Sequence, residues 1–123
     1  MAYSISRIDS MIRDLNNDIS SSTNQMTIVN SGINLLNSCM ELVDNLAEEI
    51  NASFIVNNKA FRSEKLNLIR VAIASCLDNS GNINSSIERK VRSYRSEISD
   101  LQYQRRKLKE KEEKEKAERE GKS

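Results

Sequence analysis

Apolar residues recur through the first half of this chain in alternating steps of three and four. They read Ile5, Ile8, Ile12, Leu15, Ile19, Ser22, Met26, Val29, Ile33, Leu36, Met40, Val43, Ala47, Ile50 and Phe54, with Ser22 alone polar. That alternation keeps one greasy seam on one side of a slightly underwound helix, the heptad signature of a left-handed coiled coil. A half-buried strand would alternate with period two, which this segment does not. Ile28, Leu35, Leu42 and Leu46 lie beside the seam and widen the apolar face in its latter half. A face this wide predicts contact with more than one neighbouring helix.

A second ladder begins on a new phase. It runs Leu66, Ile69, Ile73, Cys76, Ser80, Ile83 and Ile87, then Val91, Tyr94, Ile98, Leu101, Arg105 and Leu108. Two successive steps of four at Ile87 read as a stutter, a local change of supercoil. The stretch "DNSGNINSS" (78–86) is built of weak helix formers, and Gly81 costs ~1 kcal/mol relative to Ala, so a bend or short break is expected there. In the first ladder "SSSTNQ" (20–25) marks a weak point or kink. Tyr94 reads as a packing residue with its hydroxyl at the rim.

The two ladders meet at "VNNKAF" (56–61), where two Asn tolerate left-handed backbone and cap helices well. Val56, Asn57, Asn58, Lys59, Ala60 and Phe61 are therefore assigned to a turn. The expected fold is all-α, an antiparallel two-helix hairpin of coiled-coil type. Its arms span about 4–56 and 60–103, the turn 56–60, and 104–123 form a charged helical extension that frays at its end. A turn near Asn57 sets residues whose numbers sum to about 114 opposite one another. Gly32 and Gly81, in the similar phrases "NSGIN" and "NSGNIN", then fall at one level, where they would let the arms approach closely or flex together. Cys39 and Cys76 fall at another. Packed helices stand ~8–10 Å apart, longer than the usual Cα separation of a disulfide, so two buried free thiols are expected rather than a bridge.

A lone helical hairpin buries one stripe per helix and is marginal by itself. Further helices, from a second copy or from a different protein, are expected to complete a four-helix bundle. The partner-binding residues drawn from the pattern are Ile28, Val29, Ile33, Leu35, Leu36, Met40, Leu42, Val43, Leu46, Ile50, Leu66, Ile69 and Ile73.

Composition sharpens this picture chiefly by exclusion. The 123 residues hold no Pro, Trp or His, only three Gly, 30% charged and 4% aromatic residues. Without Pro nothing forbids long helices, and so few rings offer little bulk for a globular core. The net charge of +1 hides an asymmetry: residues 1–56 carry seven acids against two bases, the remainder seventeen bases against eleven acids. Halves of opposite sign favour one folding along the other, or along an oppositely charged neighbour. Two Cys without His or a CxxC spacing point away from a zinc site, and no carboxylate pairs with His or Cys for acid–base work; no enzyme, metal or cofactor is expected. The tail "QRRKLKEKEEKEKAEREGKS" (104–123) nearly balances its Lys and Arg with Glu, which suits a solvated helix better than a phosphate-binding arm, so nucleic acid is not the expected partner. No basic stretch leads into an apolar run, and no run is long enough to span a bilayer. The expected location is the cytoplasm, or outside the cell by a route that needs no cleaved signal.

The length, the signal-free N-terminus and the helix–turn–helix plan together resemble the small helical-hairpin proteins of type VII secretion in Gram-positive bacteria. Within that group the chain is most similar to the accessory partners of LXG toxins. The resemblance implies side-by-side pairing with the helical N-terminal domain of a toxin, as a targeting partner or chaperone, and export without a signal peptide. It assigns no residue a role. "VNNKAF" stands where the group carries Trp-x-Gly, and four positions after Tyr94 and Tyr103 come Ile98 and Lys107 rather than an acid. The alternative reading of the residues is a self-assembling structural coiled coil, such as a homodimer, filament or phage component.

Overall fold

The computed structural model describes residues 3–53 and 57–121. It is an all-α, antiparallel helical hairpin of two helices, α1 (Ile5–Ala52) and α2 (Lys59–Gly121). The chain packs as two units, one of Gln25–Ser86 and one of Met1–Asn24 with Ile87–Ser123. Each is a pair of antiparallel helix segments.

Local chemistry accounts for the ends of the helices. Ser4 caps α1, its Oγ accepting a hydrogen bond from the Arg7 backbone N–H at 3.1 Å. This is the exchange that makes Ser a favoured N-cap. Asn58 adopts a positive φ of 55°, a left-handed conformation that Asn accepts at little cost, and its carbonyl receives the Arg62 N–H at 2.9 Å to open α2. Val56, assigned to the turn from sequence, and Phe54, on the first ladder, lie outside the described residues. Lys59 closes the turn from the other side. Its Nζ donates to the Asn51 carbonyl at 2.7 Å and reaches the Ser53 carbonyl at 3.5 Å. A cation thus satisfies carbonyls that the end of α1 leaves unpaired, where the helix dipole is also negative. Lys59→Met keeps the aliphatic stem and removes the charge; it is expected to lower stability by about 1 kcal/mol, read as a lower midpoint in urea.

Within the helices, hydroxyls fold back on the preceding turn. Thr23, Ser31 and Ser38 donate to the carbonyls of Ile19, Thr27 and Asn34 at 2.9, 3.1 and 3.1 Å. Such back-bonds satisfy the hydroxyls without interrupting the helix, and "SSSTNQ" is helical throughout, its Ser22 buried against α2. The helix α2 likewise runs unbroken through 78–86, where sequence suggested a bend. Packing outweighs the weak propensity there, because Ser80, Asn84 and Ile87 turn inward against α1.

In the unit that contains the turn, Val43 and Ile73 are buried; in the other, Ile8, Ser22, Val91 and Leu101 are, with Ile8 at 0% exposure. Every described residue of the first ladder is buried or half-buried. The second ladder differs from expectation. The inward residues of α2 are Lys59, Ser63, Leu66, Arg70, Ile73, Leu77, Ser80, Asn84, Ile87, Val91, Tyr94, Ile98, Leu101, Arg105 and Leu108. Steps of four and three alternate throughout, so there is no stutter at Ile87. Ile69, Cys76 and Ile83 each sit one place before a true seam position and are exposed, Ile69 at 48% and Ile83 at 51%.

Polar contacts across the seam explain the shift. In the turn-containing unit, Arg70 donates through Nε and Nη2 to Asp44 Oδ1 at 3.0 and 2.6 Å, and Asn84 Nδ2 donates to Asn30 Oδ1 at 2.7 Å. In the other unit, Arg105 Nε donates to Asp9 Oδ1 at 2.6 Å. The numbers of each pair sum to 114, the register inferred from the turn. Hydrogen bonding and attraction by the Asp9 carboxylate raise Arg105 above its ordinary value, so it stays a cation. Opposite the first residues of α1, Leu108 is the last half-buried side chain of α2; residues 109–121 are exposed.

Two further expectations are corrected. A methyl group added at Gly32 or Gly81 would meet nothing within 4 Å, so neither glycine serves a close approach of the helices. Cys39 and Cys76 are free thiols, but exposed rather than buried, because their positions flank the seam instead of lying in it.

Candidate interaction face

The residues assigned to partner binding divide into two sets. Val29, Ile33, Leu36, Met40, Val43, Ile50, Leu66 and Ile73 face the hairpin's own seam, buried or half-buried. Ile28, Leu35, Leu42, Leu46 and Ile69 face out, with Ile28 at 72% and Leu35 at 69% exposure. The outward set is the one most open to another chain.

The outward residues have an order of their own. On α1 they extend into a second ladder, Ile28, Gly32, Leu35, Cys39, Leu42 and Leu46, again in alternating steps of four and three. At 100° per residue this outer stripe lies roughly 100° around the helix from the seam. On α2 the matching positions hold Ile69, Ala72, Cys76, Asn79 and Ile83. Two antiparallel helices that share a seam present such positions on the same flank. A shallow cleft of about 290 Å³ near the turn shows the shared flank directly, since Leu46 and Ile50 of α1 line it together with Phe61, Arg62, Lys65 and Leu66 of α2. Lys65 Nζ lies 5.2 Å from the centre of the Phe61 ring. This cation–π contact holds the ammonium at the cleft's edge.

The opposite flank of the same unit is polar. It carries Asn30, Asn37, Asp44 and Asn51 of α1, and the Asp44–Arg70 and Asn30–Asn84 contacts belong to it. One flank is therefore closed by hydrogen bonds, and the other is apolar and open. The signal that could have separated them is the unbroken 3-4 alternation counted backward from Val91, which passes through Asn84, Leu77 and Arg70 and leaves Ile83, Cys76 and Ile69 outside.

Of the residues assigned to the turn, Asn57 and Asn58 form it and are exposed, whereas Lys59, Ala60 and Phe61 belong to the first turn of α2, Lys59 half-buried and the other two exposed. In the other unit an open groove of about 570 Å³ runs along Asp9, Ile12, Gln102, Arg105, Arg106 and Lys109, ending at Glu110 and Glu113. Both signs of charge line it, so it offers an anion no uniform cradle. Tyr103 is half-exposed beneath Arg106 and Lys107, at 5.3 and 5.5 Å. Among the described residues no three His, Cys, Asp or Glu side chains gather as a metal site would require, and no helix is long and apolar enough to cross a membrane.

Compared with known protein families, curated proteins and solved structures, the chain matches none. What it does must be read from the face itself.

Proposed function

We propose that this chain is a non-enzymatic helix-pairing protein whose outer apolar flank, within residues 25–86, takes up helices of another polypeptide. One observation carries the reading. Ile28, Leu35 and Leu42 are large, apolar and mostly exposed, and they recur every seven residues on the face next to the seam. Single exposed Leu residues are ordinary on a protein surface; a heptad row of them beside a formed coiled coil is the surface a further helix packs on.

The likeness in architecture to the accessory partners of LXG toxins supports one class of occupant, the helical N-terminal domain of such a toxin. This chain would then act as targeting partner or chaperone. Co-expression with the reading frames that flank its gene, followed by affinity capture of the tagged chain, tests this. A stoichiometric complex with a helical toxin domain, lost in Leu35→Asp, is expected. Failure of every flanking product to bind would end the toxin-partner reading. A second reading, self-assembly, is favoured by the exposed area of the same flank and by Glu49 and Lys65 at one level on its two edges.

A further inference from the structure

We infer that, in the isolated protein, the apolar flank of residues 25–86 is closed by a second copy of this chain. The copies lie face to face with their turns at the same end, so that α1 of each covers α2 of the other. This rests on the reading of the flank as a helix-pairing surface and adds its occupant and register.

The first argument is area. Ile28, Leu35, Leu42, Leu46, Ile69 and Ile83 are each about half to three-quarters exposed. Together they leave roughly 600 Å² of apolar surface, the upper end of the largest patch on an ordinary monomer and near the ~800 Å² per partner of a stable interface.

The second argument is charge. Near the turn the α1 edge of the flank carries Glu49, and the α2 edge carries Arg62 and Lys65. All three are exposed, and none forms an ion pair among the described residues. A twofold dimer uses the same patch on both copies, so that patch must complement itself. A twofold axis running along the helices lays Glu49 of each copy over the other copy's basic edge. Glu49 and Lys65 sum to the hairpin register of 114, so Glu49 stands at the level of the partner's Lys65 and Lys65 at that of the partner's Glu49. The other face-to-face twofold, with turns at opposite ends, brings neither edge over its opposite.

Shape gives the third argument. By the same sum, Leu42 of one copy stands over the partner's Ala72, and Leu35 over the partner's Asn79. The bulky ridge of α1 thus meets the smaller side chains of α2, which lets layers interdigitate rather than collide.

Sedimentation of the full chain across a range of concentrations tests the inference. A reversible dimer is expected for the native sequence, and a monomer with unchanged far-UV dichroism for Leu35→Asp. Glu49→Lys or Lys65→Glu alone should raise the dimer Kd roughly tenfold at low salt, each variant replacing two attractions by two repulsions. The double variant Glu49→Lys/Lys65→Glu should restore it. A dimer indifferent to the single charge reversals overturns the register, and one indifferent to Leu35→Asp overturns the face. A native chain that is monomeric at every concentration overturns the self-pairing inference outright. Were that monomer still to bind a toxin helical domain through the same flank, the helix-pairing reading would survive; binding to neither would remove both.

Discussion

Val43→Asp is expected to unfold the Gln25–Ser86 unit, whereas Leu42→Asp, one residue away, leaves the helices intact and removes association. Val43 is 7% exposed within the seam, and Leu42 is 63% exposed on the outer stripe. A carboxylate at position 43 would be desolvated among apolar side chains. That costs several kcal/mol, comparable to the whole stability of a small domain. At position 42 the carboxylate stays in water in the isolated chain, and its penalty falls only on a complex that covers it. Thermal melting by far-UV dichroism beside sedimentation separates the two effects. The same reasoning places Ile33 and Leu36 with Val43: charges there would disrupt the hairpin and say little about partners. If Leu42→Asp melted the helices as Val43→Asp does, the outer stripe would belong to the hairpin's own core.

Asn84→Leu should act in the opposite direction and raise stability. Asn84 occupies a seam position; its amide donates to Asn30 Oδ1, while its own Oδ1 is buried without a hydrogen-bond donor. An unsatisfied buried oxygen costs about 1–3 kcal/mol, and Leu would remove that cost while filling the seam, so a gain of about 1–2 kcal/mol is expected in chemical denaturation. Polar residues at seam positions also fix register at the expense of stability. The gain should therefore come with a looser pairing of α2 on α1, seen as broadened amide resonances near residue 84. A fall in stability would mean that the Asn30–Asn84 contact contributes more than the orphaned oxygen costs.

The behaviour of Asn84 also explains which parts of this protein were legible from its sequence. The helix α1 could be read because all but one of its seam positions are apolar. The hairpin could be read because two Asn mark a single turn in a chain without Pro, and the register followed from that turn. The inner face of α2 could not be read by hydrophobicity. Arg70 and Asn84 are held inward by Asp44 and Asn30 of α1. Meanwhile the apolar Ile69 and Ile83 stand one residue earlier and turn outward. A search for apolar residues chooses those neighbours and must invent a stutter to rejoin the correct phase at Ile87. The candidate face was mixed with the seam for the same reason: Leu35 beside Leu36, and Leu42 beside Val43, are indistinguishable until the angle around the helix is known.

The uninterrupted 3-4 alternation of α2 makes the length of this protein quantised. Inserting one residue within a helix would rotate everything beyond it by roughly 100° and exchange inner for outer faces. Tolerated variation in length should then come in blocks of seven residues, gained or lost at matching levels of both helices, while single-residue changes collect at the turn.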